Sequence, residues 1–311
     1  LTFAVDREEQ KFSQRGPASP FGDPNQDQEL ETTGLVLEYQ GLDLGPFSVS
    51  VALRHDDNSD FDDISTYRVT GSYLVGSSAT QLHVSLGTGQ KSPTFIDRFG
   101  FFSDEFIGNP SIRPEKSEGW EIGLVQPLRD ERLSVAATYF NEQLEDEIDG
   151  FVFDPDTFLF TVANRPGRSQ RQGFELSLDA TLRNDLDLSA SYTYTDSTER
   201  ASLGNEVDEV RRPKNMLAVN LNFTPRPRTN INLNISYSGS QVDVLFPPFP
   251  LSPERVHLDG YTLVGLAASF RLTPSVQLIG RIENLLDENY EDVVGYSTQG
   301  VGAYLGVQVA P

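Results

Sequence analysis

Apolar and polar residues alternate along most of this chain, and the alternation has a period of two. It is cleanest at 231–238, where Ile231, Leu233, Ile235 and Tyr237 share one face and Asn232, Asn234, Ser236 and Ser238 the other. The same split sets Leu217, Val219, Leu221 and Phe223 against Ala218, Asn220 and Asn222. Leu186, Leu188, Ala190, Tyr192 and Tyr194 oppose Asp187, Ser189, Ser191 and Thr193. Phe174, Leu176, Leu178, Ala180 and Leu182 oppose Glu175, Ser177, Asp179 and Thr181. Successive side chains of an extended strand point to opposite faces of a sheet, so this period predicts strands with one apolar and one polar face. About fourteen are expected, near 1–14, 30–40, 46–56, 65–75, 80–90, 118–126, 133–153, 158–182, 186–196, 212–223, 229–241, 260–272, 276–286 and 300–310. No segment carries a helical period.

The connections alternate in length. Short ones fall at 41–46, 76–80, 127–132, 183–186, 224–229 and 272–275. Long ones fall at 15–29, 56–64, 91–117, 196–211, 242–259 and 287–299, with 154–157 the one short member of that series. A soluble sandwich also alternates apolar and polar positions, but it has no reason to sort its loops by end. Short turns at one end and long loops at the other is the arrangement of an outer-membrane barrel, turns periplasmic and loops extracellular. Tyr39, Tyr73, Trp120, Tyr139, Tyr192, Tyr194 and Tyr237 all fall on the apolar face, several near strand ends. Interfacial aromatic girdles need that placement, and cross-strand aromatic pairs in a soluble sheet give it too. The expected fold is all-β, a transmembrane antiparallel β-barrel.

Composition narrows the function. The 311 residues carry a net charge of −22 and a sequence pI of about 4.4, the opposite of the basic footprint that nucleic acid requires. Hydrophobic residues make up 37%, and no run approaches the roughly 20 apolar residues of a membrane helix. A barrel needs only every second strand residue to be apolar. There is no cysteine, hence no disulfide framework and no thiolate metal site. Residue 1 is Leu, followed by TFAVD, with neither a charged nor an apolar leader. The chain thus reads as starting in mid-strand, as a processed or truncated product does.

One stretch interrupts the alternation. Residues 91–124 read KSPTFIDRFGFFSDEFIGNPSIRPEKSEGWEIGL, with Pro93, Pro110 and Pro114 inside it and Pro127 just beyond. A loop this long among short turns is commonly functional. Its Pro93, Asn109-Pro110, Pro114-Glu115 and Trp120-Glu121 resemble the signature loop of the TonB-dependent outer-membrane transporters, particularly the cobalamin-transporter branch, where "aPtf…L" leads through "GNPxLxPEKS" to "WE". Other matches follow in order. Leu53-Arg54-His55-Asp56 with Phe61 and Tyr67-Arg68 resembles "aRhD…FG…yr". Asn164-Arg165 and Gln172-Gly173-Phe174-Glu175-Leu176 resemble "N…rGvEle", and Arg211-Arg212-Pro213 resembles "RRP". Asn284-Leu285, Tyr290 and Gly295-Tyr296-Ser297-Thr298 resemble "iaNLfdkdYe…GYxtxG". Two departures stand out: Gly300-Val301 replaces the usual Gly-Arg, and the chain ends Val309-Ala310-Pro311 rather than on an aromatic strand.

The resemblance carries expectations. The family's barrels have about 22 strands around a plugged lumen, so this chain would supply roughly strands 9–22. The plug, the TonB-contacting segment and the first strands would lie outside it. A closed barrel of about fourteen strands is the other architecture the pattern allows. The implied function is active uptake of a scarce, bulky solute, cobalamin or a ferric siderophore, in the outer membrane of a Gram-negative bacterium. Energy would come through TonB, and lipid and lipopolysaccharide would surround the wall. A passive channel of small or hydrophobic solutes, and an adhesin or structural barrel, are the alternatives.

Candidate chemistry is sparse. His55–Asp63 places oxygen ligands at alternate positions, but Phe61 stands where an EF-hand needs Gly and Tyr67 where it needs Glu, so a solvated loop is the expectation. Glu142, Glu145, Asp146, Glu147 and Asp149 form a second acidic run, expected to face solvent or lipopolysaccharide-bridging divalent ions. His83 is expected on the polar face, and neither it nor His257 has a Ser or Asp placed for a triad. No metal site, cofactor site or enzyme signature is read. Ligand contacts are expected from the outer-loop aromatics Phe99, Phe101, Phe102, Phe106, Phe246 and Phe249. Arg68, Arg271 and Arg281 are expected on the polar face, in cross-strand pairs with Glu38, Glu121, Glu175, Asp179 and Glu283.

Overall fold

The computed structural model describes residues 1–102, 104–128, 132–200, 205–248 and 251–310. The strands are β1 (Thr2–Gln14), β2 (Gln26–Leu44), β3 (Phe47–Asn58), β4 (Ile64–Val75), β5 (Thr80–Lys91), β6 (Glu115–Leu128) and β7 (Leu133–Glu145). After them come β8 (Ile148–Asp154), β9 (Leu159–Asn164), β10 (Arg168–Arg183), β11 (Leu186–Arg200), β12 (Glu206–Asp208) and β13 (Asn215–Arg226). The series ends with β14 (Thr229–Ser238), β15 (Gln241–Leu245), β16 (Glu254–Leu258), β17 (Tyr261–Thr273), β18 (Val276–Glu283) and β19 (Gly302–Val309). One antiparallel sheet runs β1-β2-β3-β4-β5-β6-β7-β10-β11-β13-β14-β17-β18-β19, with β12 added to the outer end of β11. Each wall strand therefore pairs with its sequence neighbour, a meander. Among the described residues no strand pairs with the far edges of β1 and β19.

Register sorts the faces as the period-two pattern requires. Tyr39, Val51, Val69, Leu86 and Trp120 lie opposite one another across five strands. From Ile122, also on β6, the apolar face continues through Tyr139, Phe174 and Tyr194 across the next three. Trp120 and Tyr139 pack ring to ring at 5.5 Å. Most of this apolar face is exposed, including Phe3, Leu37, Trp120, Ile122, Leu176 and Leu305. On the polar face His83 crosses over Gly123 to reach the Thr138 hydroxyl at 3.4 Å. Phe140 lies across Gly173 in the same way, where a Cβ would strike both the ring and the Tyr194 carbonyl.

The structure corrects three expectations. The wall strand expected over 133–153 stops at Glu145, where Asp146 turns the chain with φ of 56°. Residues 148–164 then form the separate hairpin β8–β9, so the connection from β7 to β10 is long like its neighbours. A second hairpin, β15–β16, occupies the connection before β17. A helical turn, α1 (Phe95–Phe99), sits where no helix was expected. Among the described residues none of the expected cross-strand pairs of Arg68, Arg271 and Arg281 forms, although Arg54 of β3 does reach Asp6 of β1 at 3.1 Å. Arg281 pairs with Glu283 on its own strand at 3.0 Å, neutral Ala52 separates Glu38 from Arg68, and Asp179 accepts from the Ser189 hydroxyl at 2.7 Å. Charged chains on this open face lose little by staying in water, so nothing forces them together.

Candidate functional site: the outer loop cluster

The buried apolar residues all lie at the long-loop end: Leu30, Ile64, Phe106, Ile112, Val162, Val242 and Leu258. Phe106, Ile112 and Val162 form one core, with Ile96, Phe101, Ile148 and Phe160 packed around it. It joins the signature loop to hairpin β8–β9. The loop is folded by its own sequence. Thr94 caps α1 by accepting from the Asp97 amide, and Asp97 returns the bond from the Thr94 amide at 2.8 Å, a reciprocal cap. Gly100 ends the turn at φ of 70°, a conformation that glycine adopts without penalty, and a Cβ there would meet the Phe106 carbonyl. Asn109 then donates to the Val162 carbonyl at 2.9 Å and accepts from the Ser111 amide. Across the hairpin, Asn164 accepts from the Arg113 amide at 3.0 Å and donates to the Arg113 carbonyl at 2.9 Å.

Arg98 is buried beneath this loop. It donates to the Asp60 carbonyl at 2.5 Å and faces the Phe99 ring at 4.9 Å and the Phe61 ring at 5.9 Å, so the loop carrying Asp60 is tied to α1. Asp56 accepts from Arg54 at 2.8 Å and Asp63 from the Asn58 amide at 3.1 Å. That acidic loop is thus cross-linked by protein donors.

The candidate ligand residues divide. Phe101, Phe102 and Phe106 come together, with Phe101 stacked on Phe106 at 4.8 Å and Phe102 edge-on to Phe101 at 5.4 Å. Phe106 is 2% exposed and is a core residue, a correction to its expected role in ligand contact. Phe99 packs against Phe95 and under Arg98. Phe246 is exposed on the loop after β15, apart from that cluster, and Phe249 lies outside the described residues.

The signature residues have structural partners. Pro93 and Pro114 are buried. Glu115 accepts from Lys91 and from the Ile148 amide at 3.0 Å, and Pro110 continues the turn that Asn109 opens. Glu121 and Glu175 lie on the polar face, beside Phe140 and Thr138. Asn284 is buried and closes the last loop by donating to the Glu288 and Gln299 carbonyls, while the Leu285 amide bonds the Val264 carbonyl. Tyr290 stacks on Tyr261 at 4.1 Å, Gly295 turns at φ of 79°, and Tyr296 is exposed.

A charge network that sequence reasoning missed links the neighbouring loops. Glu209 accepts from Arg171 at 2.7 and 2.9 Å, from Arg212 at 3.2 Å and from the Ser197 hydroxyl. Burial opposes its charge, but those donors outweigh burial and hold its pKa at about 2. Glu199 sits between Arg165 at 2.7 Å and Arg255 at 3.1 Å. Asp243 is almost wholly buried; burial works against its charge, yet the Val294 and Val244 amides and Arg211 hold its pKa below the usual range. The acidic run from Glu142 to Asp149 joins in, half-exposed as expected but paired with protein donors. Asp146 pairs with Arg113 at 2.6 Å, Asp149 with Arg165 at 3.2 Å, Glu145 with Arg168, and Glu147 with the Ser169 hydroxyl. Arg165, Arg211-Arg212-Pro213 and the acidic run at 142–149 were visible in the sequence, but Glu199, Glu209 and Asp243 carry no motif. Beneath it, on the polar face, a cavity of ≈ 750 Å³ is lined by Phe140, Arg171, Arg212, Met216, Tyr261 and Asp292 among others. Its mixture of guanidinium, carboxylate, hydroxyl and ring can hold a bulky polar solute by several weak contacts.

Comparison with known proteins bears on this arrangement. The family described as "TonB dependent receptor-like, beta-barrel" matches residues 3–285. The vitamin B12 transporter BtuB of Photobacterium profundum is 25% identical over 259 residues, which is 80% of this chain and 38% of that protein. Among solved structures, the siderophore receptor PirA of Acinetobacter baumannii superposes with a TM-score of 0.79 at 17% identity, covering 99% of this chain and 51% of its own. A variant of the ferric enterobactin receptor PfeA of Pseudomonas aeruginosa gives 0.76 at 16% identity, covering 98% and 50%. The chain thus spans about half the length of the solved relatives, and less of the curated one.

Proposed function

The chain belongs to the TonB-dependent receptor-like β-barrel family, and from that premise we propose that it forms wall and outer mouth of an outer-membrane receptor for active uptake of a scarce, bulky solute. The observation that carries this reading is the continuous exposed apolar face, in register across neighbouring strands and ringed by Trp120, Tyr139 and Tyr194. Each Leu or Phe on that face gains about 1.5–3 kcal/mol when removed from water, and lipid is the partner that removes the whole face at once. Strands such as β2, with 19 residues, exceed the roughly 9–11 needed to cross a bilayer. Their outer ends, with lipopolysaccharide around them, support the loops above the membrane.

The solute enters at the loop cluster and meets the cavity beneath it. Corrinoids and ferric siderophores are the substrate classes, in keeping with what the relatives are named for. Energy arrives through TonB, because the outer membrane has no nucleotide supply. The test is uptake of radiolabelled cyanocobalamin and of a ⁵⁵Fe siderophore by cells carrying the full-length gene, with and without TonB. Accumulation of one of them only in the TonB-positive strain is expected; equal uptake in both strains defeats energy coupling and leaves a passive channel. Purified chain that stays monomeric in buffer without detergent defeats the membrane assignment.

A further inference from the structure

Hairpin β8–β9 carries a second aromatic cluster that the uptake reading does not use. Phe151, Phe153 and Phe158 are 59%, 50% and 78% exposed. Their rings are nonetheless ordered. Phe151 stacks on Phe160 at 4.2 Å, while Phe153 stands edge-on to Phe160 at 5.7 Å and to Phe158 at 6.2 Å. At the base Phe151 stacks on the buried Phe106 at 5.9 Å, so the exposed rings are fixed to the loop core. A bulge at Gly150–Phe151, where β8 gains a residue over β9, adds twist at the foot of this ladder.

Charge says what such a surface fits. From Asp146 to Ala163 the chain has five carboxylates and neither Lys nor Arg. Asp146 and Asp149 are matched by Arg113 and Arg165, and Glu147 by Ser169. Among the described residues no ion pair reaches Asp154 or Asp156, at the tip beside Phe153 and Phe158. Asp154 is kept ionised by the Asp156 amide at 3.0 Å and the Thr157 hydroxyl at 2.8 Å, which hold its pKa below the usual range. An apolar partner covering the rings would strip water from those carboxylates without replacing its hydrogen bonds. An anionic partner would be repelled. A guanidinium or ammonium group satisfies both, since the ring face and the carboxylate each attract it. The spacing selects an extended chain. Phe151 and Phe153 are two residues apart on one strand, and alternate side chains of a partner strand repeat at the same ~7 Å. Among the described residues β8 pairs with no strand but β9, whereas β9 also bridges Phe106 through Phe160, so the unpaired edge offered to such a segment is that of β8.

We propose that hairpin β8–β9 is a docking surface for an extended basic polypeptide segment, whose Arg or Lys side chains lie over the Phe151, Phe153 and Phe158 rings beside Asp154 and Asp156. Binding is steered by charge and weakens as salt rises.

The test uses the full chain folded in detergent micelles and fluorescence anisotropy with a labelled peptide of five Arg-Thr repeats, against one of five Glu-Thr repeats. Phe153→Ala combined with Phe158→Gly removes two rings; Phe158 has φ of 61°, which glycine accepts freely. Asp156→Lys inverts one tip charge, and Asp62→Lys makes the same change on another loop. The basic peptide is expected to bind and the acidic one to fail. The ring pair and Asp156→Lys should each weaken binding roughly tenfold, while Asp62→Lys and Phe246→Ala change it less than about twofold. Equal losses for Asp62→Lys and Asp156→Lys would mean that the basic peptide responds only to overall charge, and overturn the proposal. So would unchanged binding by the ring variant, or no binding at all. None of these readouts depends on transport.

Discussion

The wall and the outer loop cluster are built on opposite terms with water. Along the wall, Phe3, Leu37, Trp120, Ile122 and Leu305 stand exposed, and among the described residues no large apolar side chain is buried in mid-strand. At the loop end Phe106, Ile112 and Val162 make a closed core, with Arg165, Arg171, Arg211 and Arg255 each committed to a carboxylate around it. The wall holds itself together by backbone pairing and keeps its apolar face exposed. The loops must stay folded in water, so they carry an interior and a charge network of their own. Stability in the two regions therefore answers to different substitutions.

The largest effect should come from the core. Phe106→Ala deletes a ring that three elements share and is expected to cost the loop cluster about 3–5 kcal/mol. Hydrogen exchange should show the amides of 92–114 and 148–164 losing protection while those of β10 and β11 keep theirs; uniform loss across the wall would abolish the distinction drawn here. A middle-sized effect belongs to the network. Glu209→Gln takes the shared anion from Arg171, which keeps only the more distant Glu142 at 3.7 Å, and from Arg212, and should cost about 2 kcal/mol at neutral pH. The Glu209 carboxyl is held at about 2 in the folded chain against an ordinary 4.5. Its contribution is therefore complete above pH 4.5 and disappears as pH falls toward 2. Wild-type and variant loop protection should converge across that window, and a gap that persists at its acid end would assign the stabilisation elsewhere. The smallest effect is at the opposite end. Arg183 pairs with Asp185 in an exposed short turn, and Arg183→Ala should shift detergent-resistant unfolding by less than about 1 kcal/mol.

Period two made the wall legible because each face meets one environment along its whole length. The strands at 174–182, 186–194 and 231–238 are where the alternation puts them, as are the faces of Trp120 and His83. The loop end was harder to read for identifiable reasons. Glu145, Asp146 and Glu147 interrupt the alternation where the left-handed turn at Asp146 separates β7 from β8, but a run of carboxylates looks the same at a turn as along a solvated strand end. The helical turn is too short for a period, although Thr94 and Asp97 three residues apart are a cap signal. Aromatic residues in a loop look alike whether they face ligand or each other. Burial of Phe106 depends on Val162, 56 residues away in the sequence, and no local pattern carries that. The partners of Glu199 and Glu209 come from separate strands and loops, so in sequence they are carboxylates among many.

His83 lying over Gly123 and Phe140 lying over Gly173 have a consequence for the relief of the polar face. Two bulky rings are kept flush with the sheet, like tiles set level in a floor, because the backbone beneath offers no methyl group to prop them up. The height of the floor at those two points is set by how closely each ring approaches bare backbone. A single added carbon at position 173 would press on the Phe140 ring and the Tyr194 carbonyl together, disturbing the floor and the β10–β11 seam beneath it at once.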